Sequence, residues 1–73
     1  MRNMVPLTKR QREILGDIAA GHSNAAIARQ RGLTQRAVEK HVSEIFGRLG
    51  IGNDETNSRR VHATLLYLSE SAS

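Results

Sequence analysis

The sequence predicts an all-α fold, a four-helix bundle with a central helix-turn-helix. Apolar residues recur at steps of three and four along several stretches, which is typical of helices with one buried face. Serine or threonine precedes three of these stretches and glycine follows them, as expected of helix caps. The chain of 73 residues is long enough for one small domain, and it has no cysteine for disulfides or a thiolate metal site.

The first helix is predicted over about residues 9–20. Thr8 precedes it and Gln11 lies three positions later, which is the spacing of a capping box. Gly21 is expected to end the helix. Its buried stripe is predicted to consist of Ile14, Leu15 and Ile18.

The first half of the helix-turn-helix is predicted over about residues 24–31, with Ser23 as the cap. Gly32 can adopt the positive φ that ends a helix and reverses the chain at little steric cost. The spacings from Ala28 to Gly32 and on to Val38, four and then six residues, are typical of this motif. Ala28 is small enough to let a second helix cross nearby.

The second helix of the helix-turn-helix is predicted over about residues 35–49, with Thr34 as its cap and Gly50 after its last turn. One side of this helix is apolar and the other is polar. The side predicted to be buried carries Val38, Val42, Ile45 and Leu49. The polar side carries Arg36, Glu39, Lys40, Ser43 and Gly47.

A helix of this kind fits the major groove of DNA. Arginine and lysine suit guanine, serine pairs with several bases, and glutamate accepts a hydrogen bond from cytosine. The competing interpretation of Glu39 and Lys40 is an ordinary solvated helix face. Gly47 either permits close approach of DNA or a partner, or is simply tolerated at the surface.

The starts of the two helices of the motif offer free backbone N–H groups and hydroxyls, which commonly bind phosphate. The residues concerned are Ser23, Asn24, Thr34 and Gln35. Simple helix capping is the alternative, and both roles are compatible. Arg59 and Arg60, near the start of the last helix, either touch phosphate or are solvated.

The last helix is predicted over about residues 57–69 and carries two apolar rows. One row consists of Val61, Leu65 and Leu68, and the other of Ala63, Leu66 and Tyr67. Because a core needs only one of them, the other is expected to form a dimer contact. We expect Val61, Leu65 and Leu68 to form that contact, although a small core that wraps around the helix is the alternative.

Charge is distributed unevenly along the chain. Residues 1–49 hold nine basic and four acidic residues, whereas residues 50–73 hold two and three. A basic domain attracts polyanions such as nucleic acid, although a basic solvated surface is equally possible from charge alone. Phe46 and Tyr67 are the only aromatic residues, which argues against binding single strands by base stacking.

The sequence shows no pattern typical of an enzyme, a metal site or a cofactor site. His22, His41 and His62 lack metal-ligand spacing, and no Gly-rich phosphate loop or nucleophile–base pattern is present. No signal peptide or membrane span is recognisable. We therefore expect a cytoplasmic, nucleoid-associated protein whose domain binds no small-molecule ligand.

Three segments together resemble the DNA-binding domain of LuxR-type (NarL/FixJ-type) bacterial transcription regulators. They read LTKRQREIL over Leu7–Leu15, AAGHSNAAIA over Ala19–Ala28 and LTQRAVEKHVSEIFGRLGI over Leu33–Ile51. The resemblance covers nearly the whole chain, and we expect a single domain over residues 1–73 with residues 1–6 and 70–73 flexible. It also implies a dimer, paired through the last helix, on inverted-repeat DNA.

The resemblance further implies a role for particular residues. Base contacts fall on Glu39, Lys40 and Ser43. With the helix starts included, the backbone contacts are Ser23, Asn24, Thr34, Gln35, Arg36 and Arg48. Many relatives carry lysine or arginine in place of Glu39, so their target sequences do not transfer.

Two features leave the type of regulator open. The polar loop followed by Arg59, Arg60 and Val61 is similar to an actinobacterial response-regulator subgroup. Family members usually carry an upstream receiver or ligand-sensing domain, so the chain is either a stand-alone regulator or an effector domain. The alternative function is a protein-interaction module that contacts RNA polymerase, similar to region 4 of sigma factors.

Overall fold

A computed structural model describes residues 7–52 and 55–71 of the chain. These residues form four α-helices and confirm the all-α class. The helices are α1 (Lys9–Ala19), α2 (Asn24–Arg31), α3 (Gln35–Arg48) and α4 (Thr56–Ser71). α1 packs against α3 and α4, and α2 packs against α3.

The predicted helix caps are confirmed. The hydroxyl of Thr8 accepts from the backbone N–H of Gln11, and the side chain of Gln11 accepts from that of Thr8, each at 3.0 Å. The hydroxyl oxygen of Ser23 accepts from the backbone N–H of Ala26 at 3.1 Å. These bonds satisfy N–H groups that a helix start otherwise leaves unpaired.

The turn between α2 and α3 depends on Gly32, whose φ is +66°. This left-handed conformation ends α2 and lets the N–H of Leu33 donate to the carbonyl of Ala28 at 2.9 Å. Leu33 packs against the core and so ties the turn to it. Gly50 plays the same part after α3, with φ of +71°.

The core lies between the helices and is made of aliphatic side chains and one phenylalanine. Its buried residues are Ile14, Leu15, Ile18, Ile27, Ala28, Val38, Val42, Ile45, Phe46, Ile51 and Ala63. The predicted stripes of α1 and α3 are therefore buried, except that Leu49 is only half-buried. Phe46, which was not predicted to be buried, is 5% exposed and lies one position beyond Ile45.

The two apolar rows of α4 have different environments. Ala63 is fully buried, and Leu66 and Tyr67 pack against the core. Val61, Leu65 and Leu68 are 59%, 60% and 52% exposed, and we call them the exposed row of α4. The alternative in which the core wraps around this helix is therefore wrong.

α1 and α4 approach closely at a glycine. A Cβ placed on Gly16 would lie 3.2 Å from the hydroxyl oxygen of Tyr67. Any larger residue at this position must displace the tyrosine, so Gly16 makes room for the inner face of α4.

The end of α4 differs from the prediction. The last helix was predicted to end at about residue 69, whereas α4 continues through Glu70 to Ser71. An ion pair between Arg12 and Glu70, 3.6 Å apart, joins α1 to the last turn of α4. The flexibility expected of residues 1–6, 72 and 73 lies outside the described residues.

We predict opposite effects of alanine at two glycines. Gly32→Ala forces a side chain into the left-handed region and should lower the free energy of unfolding by about 1–2 kcal/mol. Gly47 lies within α3, and a Cβ added there meets nothing within 4 Å. Gly47→Ala should therefore raise the free energy of unfolding by about 1 kcal/mol, because alanine favours the helix more than glycine does. Urea unfolding followed by circular dichroism measures both. Equal effects of the two substitutions would contradict the role assigned to Gly32.

Candidate nucleic-acid interface

The polar side of α3 faces solvent along its whole length. Arg36, Glu39, Lys40, Ser43 and Gly47 are all exposed, and we call this set the outer face of α3. The opposite side holds the buried valines and Ile45. Because residues three or four apart are neighbours on a helix, the charged and hydroxyl groups form one continuous strip.

The start of α3 adds hydrogen-bond donors to this strip. The hydroxyl oxygen of Thr34 accepts from the backbone N–H of Ala37 at 3.0 Å, so the hydroxyl hydrogen is left to donate elsewhere. Thr34, Gln35 and Arg36 are exposed. The first backbone N–H groups of the helix and its dipole favour an anion at this point.

The start of α2 has the same arrangement at Ser23, which is exposed. Asn24, the first residue of the helix, is half-buried. Its Oδ1 accepts a hydrogen bond from Nη1 of Arg60 at 3.0 Å. The predicted backbone-contact residues therefore lie at two helix starts and on the exposed surface of α3, with Asn24 also bound to α4.

The sequence left open whether Arg60 touches phosphate or is solvated, and the structure shows that its guanidinium hydrogen-bonds within the protein. Besides contacting Asn24, it donates from Nη2 to the carbonyl oxygen of His22 at 2.5 Å. Burial lowers the pKa of Arg60 from its ordinary value. Nothing in the sequence shows which residues Arg60 contacts, because its partners depend on how α4 crosses the start of α2.

Arg59 also contacts the protein rather than extending freely into solvent. Its guanidinium carbon lies 5.3 Å from the centre of the Phe46 ring, a cation–π distance. This contact joins the start of α4 to the last turns of α3.

A third arginine joins α1 to α2. Arg31 donates from Nε to one carboxylate oxygen of Asp17 at 2.6 Å and from Nη2 to the other at 3.1 Å. Glu13 lies 3.4 Å from Nη1. The hydrogen bond to Asp17 is the main reason why the pKa of Arg31 is raised. Glu13 and Asp17 lie four residues apart on α1, and this spacing predicts a cationic partner. It does not predict which basic residue that partner is.

Two further residues near the end of α3 complete this surface. Arg48 is exposed and has an interaction within the molecule. Gly47 makes no close packing contact that requires a glycine, since an added Cβ would meet nothing within 4 Å. Its two interpretations, close approach of a partner or simple tolerance, therefore both stay predictions.

Two further features are absent from the part of the chain that the structure describes. Among residues 7–52 and 55–71, no cluster of histidine and acidic side chains is able to hold a metal ion. Within the same ranges no helix has the length and apolar character needed to cross a membrane.

The fold and the exposed outer face of α3 define a helix-turn-helix domain. The family model described as "Bacterial regulatory proteins, luxR family" matches residues 5–61. The chain therefore belongs to the LuxR family of bacterial regulatory proteins, which are DNA-binding transcription regulators and not enzymes. The resemblance predicted from the sequence is confirmed.

Several curated transcriptional regulatory proteins are similar to the chain. The transcriptional regulatory protein MctR of Rhizobium johnstonii is 48% identical over 46 residues, which cover 63% of this chain and 22% of MctR. The transcriptional regulatory protein UhpA of Escherichia coli is 36% identical over 56 residues, or 77% of this chain and 29% of UhpA.

A third relative matches a larger share of the chain. The probable transcriptional regulatory protein SgaR of Hyphomicrobium methylovorum is 36% identical over 63 residues, or 86% of this chain and 27% of SgaR. The chain thus spans about a quarter of the length of the curated relatives it matches. No solved structure matches it significantly.

Proposed function

We propose that this chain binds double-stranded DNA at a specific sequence and acts as a bacterial transcription regulator. In this proposal α3 is the recognition helix and lies in the major groove, where Glu39, Lys40 and Ser43 contact base edges. The observation that carries the proposal is the outer face of α3, which is fully exposed while the other side of the same helix is buried.

The dimensions and chemistry of α3 support this assignment. Its 14 residues span about 21 Å, so several base pairs lie within reach of one helix. Lys40 suits guanine O6 and N7, Ser43 donates or accepts, and Glu39 accepts from cytosine N4. Because a carboxylate close to phosphates is unfavourable, Glu39 also discriminates against DNA that lacks a matching donor.

Backbone contacts hold the helix in register. We assign them to Ser23, Asn24, Thr34, Gln35, Arg36 and Arg48. The first four lie at or beside the starts of α2 and α3, where N–H groups and hydroxyls favour phosphate oxygens. Arg36 adds a positive charge one residue after Gln35, which strengthens binding to any duplex.

The exposed row of α4 supports pairing of two copies. Val61, Leu65 and Leu68 are each more than half exposed, which is unusual for three neighbouring large apolar side chains on a domain this small. A two-fold symmetric contact through this row places two recognition helices on the two halves of an inverted repeat. We also propose that residues 1–73 belong to one domain and that this domain acts in the cytoplasm, at the nucleoid.

Selection from a random duplex pool tests the proposal. The chain should enrich one motif with two symmetric halves, and fluorescence anisotropy on that duplex should show affinity falling steeply with salt. Each phosphate contact contributes about −0.9 to the slope of log affinity against log salt, because counterions are released. Enrichment of no motif, together with capture of an RNA polymerase subunit, would favour the sigma-like alternative.

We predict that Lys40→Ala weakens binding to the selected duplex by about 1–3 kcal/mol, because a base contact is lost. Binding to an unrelated duplex should change far less. Anisotropy titrations on both duplexes measure this difference.

Arg12→Ala is the matched control for that substitution. It also removes one positive charge, but from the ion pair with Glu70 on the α1–α4 side. It should leave the preference for the selected duplex unchanged. An equal loss of preference in both variants would rule out base reading by Lys40.

We also predict that Leu65→Asp prevents pairing, because it places a charge in the centre of the exposed row of α4. Sedimentation velocity should show a dimer for the unchanged chain and a monomer for the variant. Gln30→Asp adds the same charge at an exposed position of α2 and should leave the dimer intact. Unchanged association of Leu65→Asp would place the dimer contact elsewhere.

A further inference from the structure

One arginine connects α4 to the segment that begins α2. Arg60 hydrogen-bonds to the carbonyl oxygen of His22 and to the side chain of Asn24. These two residues flank Ser23, the cap of α2. The start of α2 is therefore held from two sides by a single planar guanidinium.

The bond from Arg60 also decides how the amide of Asn24 is oriented. The amide oxygen accepts from the guanidinium, which has donors only. The reversed amide would place its NH2 donors against those of Arg60. Asn24 therefore turns its NH2 group away from Arg60, and an NH2 group is the donor that a phosphate oxygen needs.

The planar shape of the guanidinium is essential to this arrangement. Two different nitrogens of Arg60 reach two acceptors on residues 22 and 24. A lysine carries its charge on one nitrogen and cannot reproduce the fork. The side chain is also partly withdrawn from water, beside Val61 and Leu65, which line the same open groove.

We propose that Arg60 is a positioning residue for a phosphate contact, and that it acts by holding the amide of Asn24 with its NH2 group toward the DNA backbone. The inference rests on the proposed function, which assigns Asn24 to the backbone. Arg60 itself does not touch DNA in this arrangement. The contact that α2 makes with phosphate therefore depends on a residue of α4.

The test measures affinity for the selected duplex in four proteins: the unchanged chain, Arg60→Lys, Asn24→Ala and the double variant. Each single variant should bind about tenfold more weakly, which corresponds to one lost hydrogen bond to a charged group. The double variant should bind no more weakly than Asn24→Ala. Arg60→Lys keeps the charge, so its loss of affinity reports geometry rather than attraction.

Arg59→Lys is the matched control. Arg59 is the preceding residue of α4 and contacts Phe46 rather than α2, so its variant should bind like the unchanged chain. Thermal unfolding by circular dichroism establishes that each variant is folded at the assay temperature.

Asn24→Asp provides a second test that keeps the fold intact. The carboxylate still accepts from Arg60 but has no donor for phosphate, so the unfolding midpoint should not fall while affinity drops more than tenfold. Gln30→Asp, which adds the same charge elsewhere on α2, should lose less. Equal losses in these two variants would overturn the role of Asn24.

The outcomes separate the two proposals. If the unchanged chain binds no selected duplex, the proposed function fails and this inference fails with it. If the unchanged chain binds but folded Arg60→Lys binds equally well, only the positioning role is overturned. Multiplicative losses in the double variant would likewise show that Arg60 and Asn24 act independently.

Discussion

The structure depends on one constraint: α3 has to bury a single apolar stripe directly after a sharp reversal of the chain. The side chains at Val38 and Ile45 are fully buried, and burial of one side of a helix fixes which side meets solvent. Gly32 sets the reversal with a left-handed φ. The orientation of the outer face is therefore a consequence of hydrophobic burial, so its polar residues are able to vary without loss of the fold.

Much of this arrangement could be predicted from the sequence because it is local. A hydroxyl three residues before a free N–H forms a cap, as Ser23 does, and a glycine in the left-handed region ends a helix, as Gly32 does. The steps of three and four along α3 separate its buried side from its exposed side. The exposure of Lys40 and Ser43 follows from those steps alone.

The features that were missed depend on how helices cross. Phe46 belongs to the buried core, and its ring also meets Arg59 of α4, a contact between residues of two different helices. Arg60 finds its acceptors on residues 22 and 24, and no spacing along the chain indicates a pair that far apart. Which apolar row of α4 faces inward was likewise open, because the choice depends on how α4 packs against α1.

The ion pairs around α1 have a consequence for how the molecule meets a polyanion. The carboxylates of Asp17, Glu13 and Glu70 neutralise Arg31 and Arg12, whereas Arg36 and Lys40 lie on exposed α3. The two members of each ion pair largely cancel at a distance, so the field that Arg31 and Arg12 project into solvent is weak. A polyanion beyond the screening distance of about 8 Å is therefore attracted little by these two arginines, so the α1 side of the domain contributes less to such an encounter than its number of basic residues suggests.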